Sequence, residues 1–309
     1  MMRVLVLGAG AVGGYFGGRL LEAGADVTFL VRERRAEQLR NNGLVIRSPH
    51  GNAALNNPAI QIGRARSEFD LVMLSCKAYD LDSALEAVGP AIGPATVVLP
   101  LLNGLRHLEA LDGRFGLNHV IGGLCAIAAT LEPDGTVVHL NRLHELRFGE
   151  RDGRLTERVS SIEQLMAPAA MDSKLSRSIL HDMWEKWVML ATLAGITCLM
   201  RASIGAIVSA PGGTGITLHL LDECEAIAAA HGYAPREASA QRMRAILTEP
   251  GSAFTASMLR DIERGGRIEA DHVIGDLIAR ADRHGIPTPV LRTAFCHLKA
   301  YETYVRREK

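Results

Sequence analysis

Hydrophobic residues recur along this chain with two different periods. Arg3-Val4-Leu5-Val6-Leu7 is a β-branched and leucine run of the kind that a buried parallel strand carries. Val12, Tyr15, Phe16, Arg19, Leu20 and Ala23 follow at helical spacing as far as Gly24, a suitable residue just past a helix end. Asp26-Val27-Thr28-Phe29-Leu30-Val31 then reads as a second strand, which completes a βαβ unit. A short helix is expected to run to about residue 40 and to stop at Asn41-Asn42-Gly43. Residues 44–46, 59–62, 71–75 and 97–102 read as strands, and so do 120–129, 136–140 and 144–148. The last three are separated by the turn signals Pro133-Asp134-Gly135 and Asn141-Arg142. Residues 155–167 form an amphipathic helix on Val159, Ile162, Leu165 and Met166.

Near residue 178 the pattern changes. Long helical segments without a convincing strand are expected at 182–200, 215–231, 235–248, 255–264 and 269–284, the last halted by Gly285-Ile286-Pro287-Thr288-Pro289. Two regions follow from this: residues 1–177 of mixed α/β character, and residues 178–309, all helical.

The junction of the first strand and first helix is Gly8-Ala9-Gly10-Ala11-Val12-Gly13. Gly8 permits the tight reversal, Gly10 lets a pyrophosphate approach the backbone, and Gly13 lets the helix pack closely on the strand. Free N–H groups and the helix dipole attract the anion. In its βαβ setting this hexapeptide predicts dinucleotide binding. The fold class is therefore an α/β Rossmann-type nucleotide-binding domain followed by an all-α domain. An NAD-preferring site usually carries Asp or Glu at the end of the second strand, but here the chain reads Val31-Arg32-Glu33-Arg34-Arg35. A guanidinium at Arg32 can pair with a 2′-phosphate and stack on adenine, so NADP(H) is the expected cofactor.

The composition narrows the remaining choices. Lys plus Arg equals Asp plus Glu at 34 each, so no global field recruits nucleic acid or an anionic membrane. Cys76, Cys125, Cys198, Cys224 and Cys296 are widely spaced and read as reduced, buried small hydrophobes. No metal is indicated, because neither they nor the histidines show ligand spacing. Met1 leads straight into a strand with no signal peptide, and no apolar run is long enough to cross a bilayer, so a cytoplasmic protein is expected. The apolar carboxyl-terminal helices suit either a homodimer interface or the domain's own core.

Lys77 and Asn103 each follow a strand expected to be parallel, where the ligand crevice of an open α/β sheet lies. Lys186 is the only lysine or arginine in an apolar helical run, with Leu190 and Ala194 four and eight residues further on the same face. Desolvation there favours the neutral amine and a substrate carboxylate pushes the other way, which suits a general acid, while snorkelling to water is the alternative use. Ser257 and Asp261 are one helical turn apart, and Glu269 opens a helix; capping and dipole complementation are their structural uses.

These segments together resemble the ketopantoate reductase (2-dehydropantoate 2-reductase) family along essentially the whole chain. The resemblance rests on G-A-G-A-V-G, Arg32, S-C-K-A-Y at Lys77, L-N-G-L at Asn103, M-W-E-K at Lys186, S-M-L-R-D-I at Ser257, and Glu269. It implies hydride transfer from NADPH to the 2-keto carbon of a small-molecule 2-oxo acid, as in the reductase step of pantothenate biosynthesis. It implies cofactor contacts from Gly8, Ala9, Gly10, Ala11, Val12, Gly13, Arg32, Lys77, Asn103, Ala128 and Glu269. Lys186 would be the catalytic proton donor, and Lys186, Asn103, Leu190, Ala194 and Ser257 would meet substrate. The family usually presents asparagines four and eight residues after the lysine and a third in the next loop. Here those places hold Leu190, Ala194 and Ile204, which weakens ketopantoate as the substrate. Other uses of the same scaffold are a dehydrogenase for another carbonyl, 3-hydroxy acid or imine, or a non-catalytic NADP(H)-binding sensor.

Overall fold

The computed structural model describes residues 1–307. The elements run β1 (Arg3–Leu7), α1 (Ala11–Glu22), β2 (Asp26–Val31), α2 (Glu33–Asn42), β3 (Leu44–Arg47), β4 (Ala53–Leu55), β5 (Ala59–Ile62), β6 (Leu71–Leu74), α3 (Leu81–Val88), β7 (Val97–Pro100) and α4 (Arg106–Phe115). They continue with β8 (Gly122–Leu131), β9 (Val137–Gly149), α5 (Glu157–Met166), β10 (Asp172–Leu175), α6 (Ile179–Met200), α7 (Ile204–Ser209), α8 (Gly213–Ala230), α9 (Glu237–Leu247), α10 (Ser257–Glu263), α11 (Asp276–Arg283) and α12 (Pro289–Arg307). The chain divides into two compact units. The first joins Met1–Leu102 to His107–Leu180, and the second joins Asn103–Arg106 to the chain from His181 onward.

The first unit contains a five-stranded sheet in the order β5-β2-β1-β6-β7. Every pairing in it is parallel, and its central strands are apolar on both faces, as parallel strands covered on each side must be. A second sheet runs β10-β9-β3-β4, with β8 antiparallel to β9. Helix α1 lies between the two sheets, and its glycines explain how. A Cβ on Gly17 would stand 2.8 Å from Phe29 Cε1, and one on Gly18 would stand 2.6 Å from Ile46 Cδ1. The helix therefore approaches both sheets more closely than any side chain would allow. Tyr15, Phe16 and Leu20 fill the remaining space with Val4, Val6, Phe29 and Ile46.

The second unit is helical. Trp187 of α6 is fully buried, and its Nε1 donates to Val273 O at 2.8 Å. Val273 lies in a π-helical turn, Asp271–Gly275, which runs directly into α11. Buried Glu223 of α8 accepts from Val290 N at 3.0 Å and Leu291 N at 2.8 Å, satisfying first-turn amides of α12 with a carboxylate where the dipole favours one.

Three sequence expectations need correction. Asn141-Arg142 is not a turn: β9 runs unbroken from Val137 to Gly149, and its polar stretch around those residues is solvent-exposed strand. The strand is nevertheless irregular there, because pairing jumps from Ile127↔His144 to Ala129↔His139, so that β9 bulges at residues 140–143 opposite Ala128. Cys296 is exposed on α12, and Cys76 is half-buried in the segment that follows β6. The segment 269–284 is not a plain α-helix but begins with the π-helical turn. The short strands β4 and β10 and the helix α7 had too few residues to show a period.

Candidate functional site

In the first unit, the loops after β1, β2 and β6 gather at one end of the sheet, because these parallel strands are neighbours. The strand order reverses on passing from β2 and β5 to β6 and β7, so the crevice outside β1 and β6 is the topological switch point. Gly8 adopts φ +90°, a conformation that disfavours any side chain. A Cβ on Gly13 would lie 2.1 Å from both Gly8 O and Ser75 Oγ, whereas one on Gly10 would meet nothing within 4 Å. The turn is thus tight where the helix meets the strand and open at Gly10, which suits close approach of a dinucleotide pyrophosphate.

Ser75 pins this turn: its Oγ donates to Leu7 O at 2.8 Å. In the sequence, its place just past β6 is the one signal for this role. Arg32 caps α2, is 75% exposed at its side chain, and pairs with Asp80 through Nη2 and Oδ2 at 3.1 Å. The backbone of Lys77 caps the turn that carries Asp80, since Asp80 N donates to Lys77 O at 2.9 Å. Arg32 and Lys77 therefore both meet Asp80, Arg32 at its carboxylate and Lys77 O at its backbone N–H. Ala128 occupies the register shift in β8 and is half-exposed.

In the second unit, Lys186 Nζ donates to Asn103 Oδ1 at 3.0 Å. Asn103 and Gly104 form a turn with Gly104 at φ +74°, and a Cβ there would come within 3.0 Å of His272 O. His272 is buried and hydrogen-bonds the backbone of Asn103. Burial pushes its imidazole below the ordinary range, against the opposing charges of Glu269 and Asp276, and Arg106 adds to the depression. The ring that supports the turn is thereby kept neutral near pH 7.

Asn103 also borders a small cleft. Its apolar wall is Leu190, Ala194, Ala256, Met258 and Val273, and its polar rim is Asn103, Ser257, Asp261 and Glu269. The structure thus brings Asn103, Leu190, Ala194, Ser257 and Glu269 to one cleft, with Lys186 bonded to Asn103. Ile204 is buried at the start of α7 and takes no part in the lining. Asp261 and Val273 also belong to the lining; each stands four residues beyond an expected site residue, a spacing that is the signal for them in the sequence. A carbonyl compound in this cleft would find a hydroxyl donor at Ser257, apolar contacts for a side chain and the Lys186–Asn103 pair at the rim. No cluster of His, Cys, Asp and Glu suited to a metal occurs among the described residues, and no described helix is long and apolar enough to cross a membrane.

Comparison with known proteins supplies the context. The family model "Ketopantoate reductase PanE/ApbA" matches residues 4–153, and its C-terminal counterpart matches residues 178–302. An uncharacterised oxidoreductase of Bacillus subtilis, YkpB, is 39% identical over 301 residues, covering 97% of this chain and 99% of the relative. A 2-dehydropantoate 2-reductase of Halobacterium salinarum is 29% identical over 294 residues, 94% of this chain and 96% of its own. The crystal structure of a PanE/ApbA family ketopantoate reductase from Ralstonia eutropha superposes with a TM-score of 0.89 at 26% identity, over 99% of this chain and 100% of that one.

Proposed function

This chain belongs to the ketopantoate reductase family and is an oxidoreductase, and we propose that it reduces a 2-oxo acid with an apolar side chain to the 2-hydroxy acid at the expense of NADPH. The observation that carries this reading is the Lys186–Asn103 hydrogen bond at the edge of a cleft walled by Leu190 and Ala194.

When bound at the glycine turn, NADPH supplies the hydride. Gly8 to Gly13 cradle its pyrophosphate, Arg32 pairs with the 2′-phosphate, and Lys77, Ala128, Asn103 and Glu269 complete its contacts. Lys186 is the proton donor. Its ammonium stabilises negative charge as that charge builds on the substrate's carbonyl oxygen, an interaction stronger in the transition state than in the ground state, and then releases the proton to that oxygen. Asn103 fixes the direction of Nζ by accepting from it. Ser257 donates to the substrate. Ketopantoate carries a hydroxyl, and Leu190 and Ala194 offer it no partner where the family has asparagines. A side chain without that hydroxyl suits them better, since a site built to bond a hydroxyl rejects the analogue lacking it by roughly ten-thousandfold and this site has lost that means of discrimination.

One observation favours a second reading. Asp261 and Glu269 place two carboxylates in the lining, which suits a cationic substrate such as a cyclic imine. Steady-state kinetics with NADPH over apolar 2-oxo acids, ketopantoate, its deoxy analogue and a cyclic imine decide between them. Faster reduction of the deoxy analogue supports the proposal, and a clear preference for ketopantoate or for the imine defeats it. Saturable NADPH binding without turnover on any substrate makes the chain a sensor. A cytoplasmic homodimer completes the proposal, checked by light scattering and by fractionation.

A further inference from the structure

Arg35 lies one turn into α2 after Arg32, but its guanidinium folds back toward the sheet. Its Nε donates to Ala9 O at 2.8 Å, and its Nη1 donates to Gly135 O at 2.8 Å and to Gln38 Oε1 at 3.2 Å. Its Nη2 is buried without a hydrogen-bond partner. Gly135 is shaped for this contact, since a Cβ there would stand 2.5 Å from Nη1. These hydrogen-bond acceptors are all uncharged. Burial pushes the guanidinium down to about 10, with Asp134 the acidic group that opposes the shift by charge alone. A cation half-removed from water with neutral partners is a costly arrangement, unlike the exposed, carboxylate-paired Arg32.

Ala9 and Gly10 share one peptide plane, and the chain contains no cis peptide among the described residues. In a trans peptide the N–H points opposite to the C=O. An arginine that holds Ala9 O therefore turns Gly10 N–H to the other side. A charged donor on the carbonyl also polarises the peptide and strengthens that N–H as a donor. We propose that Arg35 is a positioning residue for the glycine turn: it locks the Ala9–Gly10 peptide so that Gly10 N–H is presented to the pyrophosphate of a dinucleotide. This rests on the dinucleotide-binding part of the function proposed above and is independent of Lys186 and of the substrate. The pyrophosphate is common to NADH and NADPH. Arg35 therefore governs affinity for both, whereas Arg32 governs the difference between them.

The test is the dissociation constant of the full-length protein for NADPH and for NADH, followed by nicotinamide fluorescence, in the wild type, Arg35→Met, Arg35→Lys and Arg32→Ala. Arg35→Met is expected to weaken both nucleotides by about tenfold to a hundredfold, the range for losing a charged hydrogen bond, with their ratio unchanged. Arg35→Lys keeps the charge but loses the two-way fork, and is expected to weaken both equally by a smaller factor. Arg32→Ala is expected to weaken NADPH alone. If circular dichroism shows that the Met variant does not fold, the Lys variant decides. Loss confined to NADPH in the Arg35 variants, or unchanged affinity for both nucleotides in a folded variant, overturns the inference while leaving dinucleotide binding intact. A wild-type protein that binds neither nucleotide overturns that earlier reading along with this one.

Discussion

Lys186 acquires a direction from Asn103, which lies 83 positions earlier in the chain. A lysine that merely snorkelled would have no need of a carbonyl partner held in place by a positive-φ turn and a buried imidazole. Lys186→Ala is expected to lower kcat by about a hundredfold or more, the usual worth of a general acid, with little change in NADPH affinity. An unchanged kcat removes the lysine from the chemistry. The glycine turn yields a second expectation. A methyl group at Gly13 has to displace Gly8 O and Ser75 Oγ, so Gly13→Ala should destabilise the fold by about 1–3 kcal/mol through overpacking and should weaken nucleotide binding. Urea unfolding and a fluorescence titration measure the two effects. At this scale the sequence was legible where a residue type had one physical reason to be present, as with Gly8 and Gly13. It was silent where the reason lies in a distant partner. Arg35 reads as one more exposed helix-start arginine until Ala9 O and Gly135 O are seen around it.

Single elements carry the next two expectations. On α6, Leu190 and Ala194 repeat at the four-residue spacing that puts both on one face, and that face borders the cleft. Installing asparagines at both positions is expected to shift preference toward 2-oxo acids that carry a hydroxyl, measured as the ratio of kcat/KM for ketopantoate to that for its deoxy analogue; an unmoved ratio would take specificity away from this face. Strand β9 carries a different chemistry. His139 and His144 stack with His50, the closest pair of ring centroids being His50 and His144 at 3.6 Å, and Tyr15 OH lies 2.7 Å from His144 Nδ1. Burial, and then the neighbouring imidazoles, hold His139 and His144 below the ordinary histidine range. The unfolded chain takes up these protons near pH 6.5 and the folded chain only at lower pH. Their stabilising share is therefore full above about pH 6.5 and is lost as pH falls through the lower folded values. The melting temperature should drop between pH 7.5 and pH 5, and His144→Gln should flatten that drop. Among the elements, α1 was readable from its period, whereas β9 reads as two strands because it bulges at its exposed residues 140–143, where pairing with β8 jumps register.

Across the whole molecule, charge balances at 34 against 34, so affinity for an anionic cofactor has to come from fixed local groups and not from the overall field. The α/β order and the helical run were legible because both are periodic. The grouping of Asn103–Arg106 with the helical unit was not, since its partners, His272 among them, lie far along the chain and leave no local pattern. The glycine turn, Ser75, Arg32, Arg35 and Lys77 all belong to the first unit, so these parts of the proposed nucleotide site share one compact unit. NADPH at about a hundredfold above its dissociation constant should then raise the unfolding free energy by about 2.7 kcal/mol, a shift of several degrees in melting temperature. The same concentration of NADH should give less, because Arg32 has no 2′-phosphate to pair with. Equal shifts from the two nucleotides would strip Arg32 of its selective role, and no shift from either would leave a turn built for an anion without one.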